Sequence, residues 1–227
     1  DADILACQFA YAYEARRGGG GVRAAVAVGG DMDGEARGDG LRNSGKWAIA
    51  GFDSAVERML KQTRTDKAIL CFTGCENFRY TILPTYKANR RGAPRPVLLD
   101  VLIEHARQVW ECRSEDSLEA DDVMGVMATR SPRSYVVAST DKDLKQVPGV
   151  HYNWRTDCME RVTTPDADYW FYFQVLTGDS TDGYSGCPGV GPRRAKTVLE
   201  GAGAHPWASI VAAFESKGLT EEDALAQ

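Results

Sequence analysis

The chain has 227 residues, 43% of them hydrophobic, and a formal net charge of −5. That is enough for one large domain or a domain with an appendage, and the hydrophobic share excludes a disordered chain. No apolar run approaches the roughly 20 residues that a membrane helix needs and no secretory pattern opens the sequence, so a monomeric cytoplasmic protein without membrane partners is expected. The six cysteines, Cys7, Cys71, Cys75, Cys112, Cys158 and Cys187, show no zinc spacing and no disulfide framework. His105, His151 and His205 are far apart and read as structural or surface residues.

In chain order, Asp1 or Asp3 caps a helix running to about Arg17. Residues 18–45 are Gly-rich and read as a loop, with a strand at Val22–Val28, because glycine loses most backbone entropy on ordering. Residues 46–62 carry Ile49, Phe52, Val56, Met59 and Leu60 at helical spacing. Ala68–Phe72 reads as a buried parallel strand, 79–96 as a proline-rich basic segment, and Val97–Val109 as a helix with Leu98, Val101, Leu102 and His105 on one side. A helix over Ala120–Thr129, a strand at Ser134–Ser139 and a short strand at His151–Trp154 follow. Thr164 and Pro165 read as an N-cap and first helical residue, and Gly178 as the stop of that helix. The remainder is helical after a hairpin at Cys187–Arg193. Alternation of strands and helices points to an α/β sheet, whose ligands gather beyond the strands' carboxyl ends.

Three acidic clusters lie where these elements end: Glu119, Asp121 and Asp122; Asp141 and Asp143; Asp179 and Asp182. An Asp pair alone is most simply a solvated helix N-terminus favoured by the macrodipole. Gathered together, carboxylates a few Å apart need cations to stay ionised, and hard divalent ions suit oxygen ligands. Two such ions clamp the attacking and leaving oxygens of a phosphodiester. Between Arg79 and Leu99 lie Lys87, Arg90, Arg91 and Arg95 with no acid, and Tyr86 precedes Lys87. A solvated loop is the plain reading of such charges; an aromatic ring beside cations also suits single-stranded nucleic acid, where bases stack and phosphates pair with cations. Gly189-Val190-Gly191, followed by Arg193, Arg194 and Lys196, is either a tight helix–helix turn or a phosphate-gripping one.

Phe78-Arg79, Tyr86–Arg90, Leu118–Gly125, Ser139–Leu144, Gly178–Gly186 and the Gly-Val-Gly turn together resemble the 5′ nuclease family of flap endonucleases and 5′→3′ exonucleases, and most of all the phage replication exonucleases. The resemblance covers roughly residues 68–200. It implies a PIN-like core, a central mostly parallel sheet flanked by helices, over 1–157, with a basic arch at about 79–110. It also implies a helical DNA-binding region over 158–227 with a helix-hairpin-helix, or helix-three-turn-helix. It implies two Mg²⁺ or Mn²⁺ ions. Asp1, Glu119, Asp121 and Asp122 would serve the first and Asp179 and Asp182 the second, with Asp141 and Asp143 bridging or supporting both. A K⁺ ion at the hairpin belongs to the same pattern. Lys87 and Arg90 would stabilise the reacting phosphate, and Arg79, Tyr86, Arg91, Gly189, Val190, Gly191, Arg193, Arg194 and Lys196 would hold DNA.

The implied substrate is duplex DNA with a free 5′ end or flap, with RNA–DNA hybrids as an extension, in the host cytoplasm if the chain is phage-encoded. A branched-DNA-binding module that does not cut, or a PIN-type ribonuclease, are the alternatives. The chain departs from the pattern at Gly74, where many relatives carry Asp and where Glu76 is the nearest substitute.

Overall fold

The computed structural model describes residues 2, 3, 5, 6, 34–88, 92, 95–131, 135–203 and 205–226. Its elements in chain order are α1 (Gly34–Thr63), β1 (Ile69–Cys71), α2 (Arg79–Ile82), α3 (Leu99–Val109), β2 (Glu111–Arg113) and α4 (Ala120–Arg130). There follow β3 (Val136–Ala138), a 3-10 turn (Asp143–Gln146), β4 (Gly149–Asn153), β5 (Cys158–Val162), α5 (Thr164–Thr177), α6 (Pro192–Gly201), α7 (Pro206–Glu215) and α8 (Glu221–Leu225). They form two compact units built from interleaved stretches. The first takes Asp1–Glu76, Pro94–Val126 and Tyr152–Cys158; the second takes Asn77–Ala93, Met127–His151 and Met159–Gln227. Position 157, the expected boundary between core and helical region, falls between β4 and β5.

In the first unit, β1 and β2 pair in parallel with Leu70 opposite Cys112. Helices α1 and α3 pack on each other, and Phe52 and Leu102 are fully buried. Burying side chains of that size contributes about 2 kcal/mol each. A polar clamp joins the same helices: the two oxygens of Asp53 meet His105 Nε2 and Trp110 Nε1, both at 2.8 Å. His105 is therefore structural, as its isolation in the sequence suggests. Val101, expected on the core side of α3, is exposed.

A three-stranded sheet runs in the order β3-β4-β5, and the second unit holds most of the helical layer. Leu176, Val190, Ala195, Ile210 and Phe214 make a continuous core under α5, α6 and α7. Helix α5 also packs against the 3-10 turn.

The differences from the sequence reading are local. Helix α1 begins at Gly34, although the glycine content of 18–45 predicts a loop throughout. Helix formers such as Glu35, Ala36, Arg37 and Leu41 interleave those glycines, and a helix already nucleated downstream extends at little cost. The expected helix at 1–17 is described only at Ala2, Asp3, Leu5 and Ala6, which are helical, and the strand at 22–28 lies outside the described residues. Strands β2 and β5 are not foreseen, because Glu111-Cys-Arg and Cys158-Met-Glu-Arg show no apolar alternation. The cap of α5 is Thr163 rather than Thr164: its hydroxyl accepts the Asp166 N–H while the Asp166 carboxylate accepts the Thr163 N–H, and Pro165 falls within the first turn. Thr220 and Asp223 repeat the device at α8.

Hydrogen bonds from Thr163 and Thr220 hold Asp166 and Asp223 below the ordinary aspartate value. A depressed folded value means that the stabilisation is full above the unfolded value and disappears as pH falls through the folded one. The melting temperature of Asp166→Ala is therefore expected to lie below wild type at neutral pH, the gap closing as the pH falls through the lowered folded value. Melts recorded across that range check the sign.

Candidate active site

The acids of the first unit gather around the end of β1. Two residues past that strand, Thr73 donates its N–H to Asp3 Oδ2 at 2.8 Å, and its hydroxyl accepts the Ala120 N–H at 3.2 Å. Thr73 thus satisfies one of the donors that every helix N-terminus leaves open. Asp122 satisfies another, accepting the Glu119 N–H at 3.0 Å. Asp121 and Asp122 occupy the first turn of α4, where the helix dipole favours negative charge. The acid that the structure places at this strand end is Asp3; Asp1, the expected one, lies outside the described residues.

Gly74 has a steric cause. Its N–H donates to the Leu118 carbonyl at 2.9 Å, and a Cβ there would stand 2.1 Å from the Glu115 carbonyl oxygen and 2.9 Å from Asp116 Cα. No side chain fits while the 115–116 backbone holds its place. Glu76 is exposed.

In the second unit the loop after β3 is braced from within. Buried Ser139 accepts the Asp141 N–H at 3.0 Å, and Asp141 Oδ1 accepts the Asp143 N–H at 2.9 Å. The next acid comes from the end of α5. Gly178 and Gly186, at φ +68° and +65°, press backbone to backbone: a Cβ on Gly178 would lie 2.4 Å from Ser185 C, and one on Gly186 2.3 Å from Gly178 N. This pinch closes the Asp179–Tyr184 loop, in which Asp179 pairs with Tyr184 as a β-bridge and accepts the Thr181 N–H at 2.7 Å.

Those two loops meet at a cation. The Lys142 ammonium lies 2.7 Å from Asp143 Oδ1 and 2.6 Å from Asp179 Oδ2. Burial pulls the lysine's pKa down, but the two carboxylates outweigh it and raise it above the ordinary value. Burial likewise works against the Asp179 charge, and the hydrogen bonds from Lys142 and Thr181 win, lowering its pKa. Tyr184 is pushed up to about 12, first by burial and then by the charges of Asp143 and Asp179, so its hydroxyl keeps its proton near neutral pH. Among the described residues, no group of three His, Cys, Asp or Glu side chains is already arranged as a metal cage. The donor set is nevertheless all oxygen, and Asp143 and Asp179 close on one positive charge, so these residues fit a hard cation.

The basic segment differs from its reading. Tyr86 is only 5% exposed, edge-on to Tyr80 at 5.9 Å, so it offers no free face to a base. The exposed aromatics of this stretch are Phe78 and Tyr80, with the Arg79 guanidinium 4.7 Å over the Phe78 ring. Their neighbouring Arg79 and Lys87 were the visible signal, but charge alone does not tell which ring faces out. Lys87 adopts φ +47°, a left-handed conformation that costs a non-glycine residue about 1–2 kcal/mol. Its N–H donates to the Asp182 carbonyl at 3.1 Å and its ammonium stands 3.9 Å from Asp182 Oδ1. Backbone and side chain thus tie the basic segment to an acid of the α5 loop. Arg90 and Arg91 lie outside the described residues.

At the Gly-Val-Gly turn, Gly189 has φ +73°, Val190 is buried, and Arg194 Nη1 donates to the Gly189 carbonyl at 3.1 Å. Lys196 lies 3.7 Å from Glu200, both exposed, and Arg193 is exposed at the start of α6.

Residues 38–168 match the family described as 5′-3′ exonuclease, N-terminal resolvase-like domain. The chain is 37% identical over 162 residues to an exodeoxyribonuclease of Enterobacteria phage T3, covering 67% of this chain and 53% of that protein. It is 31% identical over 190 residues to the flap endonuclease Xni of Vibrio campbellii, covering 72% and 68%. It therefore spans about half the length of the phage relative. Among solved structures, the zinc-bound T5 5′-exonuclease superposes with a TM-score of 0.66 at 18% identity, covering 78% of each chain, which shows a shared fold.

The contact under Gly74 gives a direct expectation. Gly74→Ala should cost about 3 kcal/mol through overpacking against the 115–116 backbone. Urea unfolding measures it, and a cost near zero would mean that this turn yields freely.

Proposed function

The chain belongs to the 5′-3′ exonuclease family, and from that premise we propose that it hydrolyses phosphodiester bonds near the 5′ ends of duplex DNA. It would do so as a 5′→3′ exonuclease or flap endonuclease, with RNA in RNA–DNA hybrids as a further substrate. The observation that supports this best is the convergence of Asp143 and Asp179, from two separate loops, on one cation. An acid pair built that way suits a divalent metal, since Asp179 is fixed by the Thr181 N–H and Asp143 by the Gln174 amide.

In this reading Glu119, Asp121 and Asp122 hold one Mg²⁺ or Mn²⁺ ion, and Asp179 and Asp182 a second, supported by Asp141 and Asp143. Bound, the ions supply an activated water and offset charge on the phosphate. The chain's own residues do the rest. Ser139 and the Asp141–Asp143 turn fix the acids' directions, and the Gly178–Gly186 pinch fixes Asp179. Lys87, with Arg90, takes the charge that develops on the phosphate oxygens. Lys87 is held for this by its strained backbone and by Asp182. Lys142 bridges Asp143 and Asp179, and its hydrogen bond helps to lower the Asp179 pKa. Arg79, Arg193 and Lys196 make phosphate contacts, so affinity for DNA should fall steeply with salt. Tyr86 acts as a buried support, and Phe78 and Tyr80 are the more exposed rings of the stretch. The C-terminal turn serves as the helix-hairpin-helix, and the protein works as a monomer in the cytoplasm, the host's if it is phage-encoded.

Incubating a 5′-labelled duplex with Mg²⁺ tests the reading. Release of mononucleotides or short oligonucleotides supports it; a gel shift without products makes the chain a DNA-binding module, and cleavage of single-stranded RNA with DNA 5′ ends ignored makes it a ribonuclease. Asp121→Asn and Asp141→Asn should each lower cleavage to about one-hundredth of wild type or less while DNA affinity stays measurable. Retained turnover in both would remove the metal assignment. Lys87→Ala should reduce turnover about 100-fold and duplex binding much less, because the contact tightens in the transition state. Equal losses, compared by single-turnover rates and binding isotherms, would make Lys87 a positioning residue only.

A further inference from the structure

Gln174 is an amide on a greasy helix face. It is 9% exposed, at the start of the last turn of α5, with Val175 and Leu176 buried beside it. A buried amide costs free energy unless its hydrogen-bonding groups are used. Both ends of this one are used. Its nitrogen donates to Asp143 Oδ1, and its oxygen accepts from the Gln146 side-chain nitrogen. Gln146 closes the 3-10 turn that Asp143 opens, so the three side chains link that turn to α5, five residues before Asp179.

The direction of this chain of bonds carries the argument. A glutamine can present either a donor or an acceptor, and a carboxylate needs the donor. Gln146 supports that orientation: it gives a hydrogen to the Gln174 oxygen while the Gln174 nitrogen faces the Asp143 carboxylate. The Lys142 ammonium also donates to Asp143 Oδ1, at 2.7 Å. Both described side-chain donors to Asp143 therefore end on the same oxygen, which aims Oδ2 away from them.

We propose that Gln174 is the positioning residue for Asp143, oriented in turn by Gln146, and that the pair holds the Asp143 carboxylate with Oδ2 turned toward a divalent cation. This rests on the reading of Asp143 as a metal-site residue. Outer partners of this kind typically change metal affinity about 10- to 100-fold when removed.

The test is equilibrium Mn²⁺ binding to the full chain without DNA, followed by the electron paramagnetic resonance of free Mn²⁺, with melting temperature recorded for each variant. Gln174→Met, which keeps the length and loses the donor, should weaken Mn²⁺ binding about 10-fold. Gln146→Glu should weaken it comparably: a carboxylate at 146 accepts from the Gln174 nitrogen and swings the Gln174 oxygen onto Asp143. Added negative charge would by itself strengthen cation binding, so a loss identifies the amide reversal. Gln146→Met should weaken binding less than Gln146→Glu, since Gln174 is then free to keep its nitrogen on Asp143; a purely structural role predicts no such order. If Gln174→Met fails to fold, the two Gln146 variants carry the test. Weaker binding in Asp143→Asn with wild-type binding in Gln174→Met and Gln146→Glu would overturn the inference and leave the site reading standing. Unchanged binding in Asp143→Asn would overturn both.

Discussion

Like charges must be neutralised before two carboxylates will share a few Å of protein. At an effective dielectric of about 20, two unit charges 4 Å apart interact by about 4 kcal/mol, enough to shift a titration by several units. Asp143 and Asp179 meet that constraint through the Lys142 ammonium, at 2.7 and 2.6 Å. The partners are unequal. Asp179 is 9% exposed and fixed by its own loop, whereas Lys142 is 62% exposed on a flexible stem. Solvent screening therefore makes the lysine's contribution modest. In the proposed reading, a divalent ion would supply the positive charge that this exposed lysine supplies only weakly.

Helix α5 is the element that makes those acids rigid. Its first turn is closed by the Thr163–Asp166 box, and its last residue runs into the Gly178–Gly186 contact that aims Asp179. Its apolar side joins Leu176 to the core under α6 and α7, and its one buried amide reaches the Asp143 turn. A single helix thus couples hydrophobic burial, which is strong and non-directional, to the directional hydrogen bonds of the site. Lys87 shows the opposite economy: its left-handed backbone is strained, and the strain is balanced by the Asp182 contacts on its N–H and ammonium.

The longer helices were legible because apolar residues recur every three or four positions, as in Phe52, Val56 and Met59 or Met124 and Ala128, all buried. The acids drew attention because three clusters of them lie where elements end; an Asp pair alone is no more than a favoured helix N-terminus. What could not be read depended on the third dimension. Tyr86 and Tyr80 flank the same basic stretch, and nothing local says that the first turns in and the second out. Gln174 looked like an ordinary polar residue in Phe173-Gln-Val-Leu; its signal was a lone amide at a position where the helix period calls for an apolar side chain. Short polar strands such as β2 exist because a partner strand offers them a ladder, which composition does not record.

Gly74 brings these levels together. A glycine where the family resemblance implies a carboxylate suggests a lost ligand. The structure gives the residue a different cause: the 115–116 backbone lies on it so closely that a Cβ would collide at 2.1 Å. That contact comes with a hydrogen bond from the Gly74 N–H to Leu118, immediately before Glu119 and the head of α4. Whatever position 74 gives up in side chain, it returns as a fixed start for the acidic helix. Its neighbour Thr73 adds to the same joint, with its hydroxyl on Ala120 and its N–H on the Asp3 carboxylate. Negative charge at this end of β1 is therefore delivered by Asp3 and by the first turn of α4, not by the strand's own continuation.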